Sequence, residues 1–123
     1  MVKALKILLT EDNTADAYLI IDYLKECKNI SIDHETTLKS TIEKLYQKEY
    51  DILLLDLSLP ESQGKETYEI IKKHHPEQAI IIITGYPQDI LNSYTEDKPS
   101  ILNKNELTQG QLKETIKKLV TMY

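Results

Sequence analysis

The sequence predicts an α/β protein built on a doubly wound, five-stranded parallel sheet with helices on both faces. Three observations lead there. Short apolar runs alternate with segments of helical period five times along the chain. Two of the runs, Ile52 to Leu55 and Ala79 to Ile83, are apolar at every position, as strands covered on both faces are. No linker, repeat or low-complexity stretch breaks the alternation, so residues 1–123 read as a single domain.

Each element has its own signal. Ala4 to Leu9 is a short apolar-rich run that predicts the first strand. Asn13 to Cys27 is helical, with Ala15, Leu19, Ile20, Tyr23, Leu24 and Cys27 on one broad face. Ile30 to Glu35 alternates apolar and polar residues and predicts an edge strand. Leu38, Ile42 and Leu45 repeat at helical spacing. Ile52 to Leu55 follows as a central strand ending at Asp56. Lys65 to His75 predicts a helix that starts after Gly64 and stops at Pro76. Ala79 to Ile83 is the fourth strand and runs into Thr84-Gly85. A short helix is expected over about Gln88 to Tyr94, with Ile90, Leu91 and Tyr94 as its apolar residues. Ile101 and Leu102 form the last strand. Thr108 and Gln111 then stand at capping-box spacing before a helix with Leu112, Ile116, Leu119 and Val120 on one face. Right-handed crossovers leave few ways to arrange five such units. The flavodoxin-like order 2-1-3-4-5, a (βα)5 three-layer sandwich, is the one predicted, with ligands bound at the carboxyl ends of strands 1 and 3.

Composition removes several function classes. The 15 basic residues are all lysine against 20 acidic ones, for a net charge of −5. Guanidinium groups are the usual bidentate readers of phosphate and guanine, so no direct nucleic-acid contact is expected. The lone Cys27 rules out an internal disulfide and a cysteine zinc site, and it reads as a small buried residue. No apolar run exceeds the length of Ala79 to Ile83, far short of a membrane span, and the N-terminus lacks a signal-peptide block. A cytoplasmic protein is expected. His74-His75 closes a helix, where it complements the dipole, and no third metal ligand accompanies it. Lys72-Lys73 and Lys117-Lys118 read as solvated helix ends.

The predicted topology gathers chemistry at one end of the sheet. Glu11 and Asp12 follow strand 1, Asp56 follows strand 3, Thr84 follows strand 4, and Lys104 follows strand 5. Three carboxylates so close repel one another unless a cation sits among them, and magnesium suits oxygen ligands. Taken singly, Glu11-Asp12 is a solvated turn, Thr84-Gly85 an ordinary turn and Lys104 a surface residue. Taken together, a cation, an ammonium and a hydroxyl around one carboxylate suit phosphoryl transfer to Asp56.

Ile7 to Asn13 (ILLTEDN), Leu53 to Pro60 (LLLDLSLP) with Gly64, Ile82 to Gly85 (IITG) and Lys104 together resemble the receiver domain of two-component response regulators. The resemblance covers the whole chain. It implies that Asp56 accepts a phosphoryl group from a phosphohistidine on a sensor histidine kinase or phosphotransfer protein. It implies that Asp12, Asp56 and the Ser58 carbonyl hold magnesium, with Glu11 acting directly or through water. It assigns Thr84 and Lys104 to the phosphoryl oxygens, and Ser58 and Tyr86 to tuning the lifetime of the phosphoryl group. Control would then pass to an output domain in a longer parent chain or to a separate effector. Receivers of this kind are switches that assist their own phosphorylation and dephosphorylation.

Three departures from the family pattern stand out. Asn105 replaces the usual proline after the lysine. Ile101 stands where the family usually has a switching aromatic. Thr95 to Ser100 lacks the usual Gly-Ala entry to strand 5. The last two fall on the output face and predict an intact site whose aromatic relay is either absent or rebuilt around Tyr86 or Tyr94. Competing readings are a pseudo-receiver that binds partners without phosphorylation, a small magnesium-dependent aspartyl-phosphate hydrolase, and a flavodoxin-like cofactor binder. Ser58, where such a hydrolase has a second aspartate, argues against the hydrolase. Thr10 to Asn13 is too acidic for the phosphate loop of the cofactor binder.

Overall fold

In the computed structural model, which describes residues 4–62, 64–85 and 99–121, five parallel strands line up in the order β2-β1-β3-β4-β5. They are β1 (Leu5–Thr10), β2 (Ile30–Glu35), β3 (Ile52–Asp56), β4 (Ile80–Thr84) and β5 (Ser100–Asn103). The described helices are α1 (Thr14–Lys25), α2 (Leu38–Gln47), α3 (Lys65–His74) and α4 (Gln109–Thr121), with a single 3-10 turn at Lys104–Glu106. The helix expected over 88–94, and with it Tyr86 and Tyr94, lies outside the described residues. Among the described residues, no helix is long and apolar enough to cross a membrane.

Strand side chains alternate between faces, and this sorts the core into two layers. Ile7, Leu9, Ile52, Leu54, Ile81 and Ile83 point to one side, where α1 and α4 cover them with Ala17, Ile20, Leu24, Leu112 and Ile116. Leu8, Leu53, Leu55, Ile80 and Ile82 point to the other, under Leu38 of α2 and Tyr68 and Ile71 of α3. The central strands β3 and β4 are buried at every position, which is why they read as unbroken apolar runs. The edge strand β2 is only half-buried. Its Asp33 is held below the usual carboxylate range by Lys48, 2.8 Å away, and by the Tyr50 hydroxyl, which donates to the same oxygen.

Local chemistry sets the helix ends. Asn13 caps α1, its Oδ1 accepting from the Asp16 amide at 3.0 Å. Thr37 caps α2 and Thr108 caps α4 in the same way, through the amides of Ser40 and Gln111. Gly64 precedes α3 at φ +62°, a region that costs other residues dearly, and its amide donates to the Leu57 carbonyl at 3.1 Å.

Four details differ from the sequence reading. The buried stripe of α1 is Ala17, Ile20 and Leu24, while Ala15 and Leu19 face solvent. The apolar run Ala17 to Ile21 surrounds most of the helix, so periodicity does not single out one face. Cys27 lies beyond the end of α1 and is only half-buried. Val120, near the end of α4, is exposed. His75 sits just past α3 as its C-cap.

Truncation of the sheet should be expensive and truncation of the α1 surface cheap. Leu54→Ala is expected to cost about 2–5 kcal/mol in urea unfolding, and Leu19→Ala to stay within about 0.5 kcal/mol.

Candidate functional site

All five strands run parallel, so their carboxyl ends open on one side. The register sets Asp56 beside Ile83 and Thr84 beside Asn103, and Glu11 continues β1 by donating its amide to the Glu35 carbonyl at 3.1 Å. The loops that leave these ends bring the site side chains together.

Glu11, Asp12 and Asp56 each offer a carboxylate oxygen, and these oxygens lie within 4.8 Å of one another. Glu11 and Asp56 are buried, whereas Asp12 is exposed. Lys104 opens the 3-10 turn, and its Nζ reaches into the group. It lies 2.6 Å from Glu11 Oε1, 3.2 Å from Asp16 Oδ2 and 3.4 Å from Asp56 Oδ2. Thr84 is 2% exposed at the end of β4. Ser58 is exposed, and its amide donates to Asp56 Oδ1 at 3.2 Å.

Three carboxylates therefore face one ammonium, with Asp12 beside two of them. Burial first, and then the neighbouring Asp56 carboxylate, push the Glu11 carboxyl up to about 7 against the opposing pull of Lys104. Burial works against the Lys104 ammonium too, but Glu11, Asp56 and Asp16 outweigh it and raise its pKa. One Glu11 oxygen accepts from the Asn13 amide at 3.2 Å. The other, Oε1, is buried and faces the Lys104 ammonium at 2.6 Å. Three clustered carboxylates, two of them buried, are hard oxygen ligands that fit a magnesium-type cation.

The loops are held by links that the sequence did not announce. His34 Nε2 donates to the Glu11 carbonyl at 2.8 Å and fixes the backbone where β1 ends. Thr10 Oγ1 bonds Thr41 Oγ1 at 2.7 Å, tying the same strand end to α2. Glu61, in the loop after β3, accepts from the Leu38 and Lys39 amides at the start of α2, at 2.7 and 3.1 Å. Asn105 donates its amide to Asn103 Oδ1 at 2.9 Å and its side chain to the Gly85 carbonyl at 3.4 Å. Asp16 lies in the first turn of α1 and was not singled out from the sequence. Nothing in the sequence marked His34.

Comparison with known proteins agrees with the fold. The response regulator receiver domain family matches residues 7–117. The regulatory protein LuxO of Vibrio campbellii is 35% identical over 78 residues, which cover 63% of this chain and 17% of LuxO. The sensory transduction protein LytT of Bacillus cereus is 28% identical over 115 residues, covering 93% of this chain and 46% of LytT. The chain thus spans less than half the length of either relative. Among solved structures, the response regulator TrrA of Thermotoga maritima, in complex with Mg(2+)-BeF, superposes with a TM-score of 0.75 at 26% identity, covering 94% of this chain and 98% of TrrA.

The raised Glu11 carboxyl has a consequence for stability. The folded protein holds that proton more tightly than the unfolded chain, whose reference value is 4.5. The stabilisation is complete below that value and is lost as pH rises through about 7. In chelator, Glu11→Gln should match the parent near pH 5 and exceed it by on the order of 2 kcal/mol at pH 8. Thermal unfolding of both proteins across this range checks the expectation.

Proposed function

This chain belongs to the response regulator receiver domain family of two-component systems, and from that premise we propose that Asp56 is its phosphoacceptor. The donor is a phosphohistidine of a sensor histidine kinase or of a phosphotransfer protein. The observation that carries the reading is the position of Lys104, whose ammonium stands 3.4 Å from Asp56 Oδ2 while Glu11, Asp12 and Asp56 converge beside it.

An Asp56 carboxylate oxygen attacks phosphorus, the phosphorus–nitrogen bond breaks, and its electron pair returns to the imidazole of the donor. The product is an acyl phosphate on Asp56. Lys104 supplies a fixed positive charge to the phosphoryl oxygens, and Thr84 donates a hydrogen bond to one of them. The Ser58 amide, already directed at Asp56 Oδ1, orients the carboxylate for attack. Glu11, Asp12, Asp56 and the Ser58 carbonyl are the residues that would hold magnesium. When bound, magnesium neutralises the carboxylates and withdraws charge from the transferring group.

The chain acts as a switch and not as a turnover enzyme. Residues 1–123 constitute one receiver domain of a cytoplasmic signalling protein. Its output passes through protein contacts, in a longer parent chain or in a separate effector, without direct nucleic-acid binding or membrane insertion.

Intact mass after incubation with acetyl phosphate and magnesium tests the reading. One phosphoryl group is expected, lost in chelator and absent from Asp56→Asn. If neither acetyl phosphate nor a panel of phosphorylated kinases adds mass, the phosphoacceptor reading fails and the chain is a partner-binding pseudo-receiver.

A further inference from the structure

We propose that Asp16 is a positioning residue that holds the Lys104 ammonium before transfer and is the partner displaced when a phosphoryl group arrives. The inference rests on the phosphoacceptor reading of Asp56. An ammonium carries three N–H groups, and three carboxylates already crowd that of Lys104: Glu11 at 2.6 Å, Asp16 at 3.2 Å and Asp56 at 3.4 Å. A phosphoryl oxygen that engages Lys104 must therefore take the place of one of them.

Solvent decides which one yields. The Glu11 side chain is 1% exposed and that of Asp56 5%. Withdrawing Lys104 from Glu11 would strand a buried charge, the costly way to break a pair. Asp56 is itself the acceptor and stays beside the group it receives. The Asp16 side chain is 37% exposed, so water replaces the ammonium there at little cost.

The exchange reaches beyond the site because Asp16 lies in the first turn of α1. Two other links hold that helix to the same connection. The Tyr23 hydroxyl donates to the Leu107 carbonyl at 3.2 Å, and Gln109 Nε2 donates to the Tyr23 carbonyl at 2.9 Å. Release of Asp16 frees the N-terminal end of α1 from the Lys104 turn while Tyr23 keeps its C-terminal turn in place. Phosphoryl occupancy is then reported at α1, on the exposed surface beside the site.

Affinity for beryllofluoride at saturating magnesium, followed by thermal shift, tests the exchange. The parent must break the Asp16–Lys104 pair to bind, and Asp16→Asn has no pair to break. The variant should bind about two- to fivefold more tightly, the range expected for a half-exposed pair. Asp22→Asn removes the same charge from the exposed side of α1, and Asp22 is not among the carboxylates that reach Lys104. It measures the long-range share of the effect and should change affinity less than Asp16→Asn. Any loss of α1 stability in Asp16→Asn is common to both states and cancels. Equal affinities for the two variants, or weaker binding by Asp16→Asn, overturn the proposal. If the parent shows no magnesium-dependent binding at all, it is the phosphoacceptor reading of Asp56 that fails, and the displacement fails with it.

Discussion

Glu11 and Asp56 are buried carboxylates that meet at the mouth of the sheet with one ammonium between them, and much of the surrounding chain keeps that arrangement in place. Isolated, either charge would be expelled or neutralised. Here His34 grips the Glu11 carbonyl, the Asn13 amide holds one of its oxygens, and the Ser58 amide holds Asp56. The repulsion that remains among the carboxylates is eased by the Lys104 ammonium, 3.4 Å from Asp56. The two-sided core serves this arrangement. Strands buried on both faces are packed against side chains of both layers, and that packing keeps their carboxyl ends level.

The residues that carry the site were legible because parallel topology turns sequence position into spatial position. Asp56 ends a run with no polar interruption, and a charge there has only the strand end to occupy. Glu11, Asp12, Thr84 and Lys104 follow from the same logic. What escaped notice were side chains that bond to the backbone of distant segments. His34, Glu61 and Asn105 are ordinary polar residues in composition, and each reaches a partner about 20 residues away or more. Periodicity records which face is apolar and carries no trace of such links. The α1 stripe failed for another reason. Five consecutive apolar residues there leave two faces equally plausible, and only the sheet beneath selects Ala17, Ile20 and Leu24.

The lysine turn shows how a departure from the family pattern is accommodated. A proline after Lys104 would fix φ and donate nothing. Asn105 instead donates twice, to Asn103 within the turn and to Gly85 across it. The turn is thereby tied to the end of β4, where Thr84 sits, by hydrogen bonds and not by a ring. Ile101 tells a similar story one strand earlier. It is half-buried, paired with Ile82, and packs into the layer shared with α2 and α3. Its branched side chain belongs to that core and lacks the flat, reorientable ring of an aromatic.

The carboxylate of Glu61 has a further meaning. It closes the first turn of α2 from a loop that begins directly after Asp56. The amides of Leu38 and Lys39 are consequently a built-in gauge of that loop. Their exchange with deuterated solvent slows while Glu61 is seated and quickens when it lifts away. A chain without tryptophan or phenylalanine offers few optical handles, and these two protons give a native, label-free reading of how the loop beside Asp56 moves.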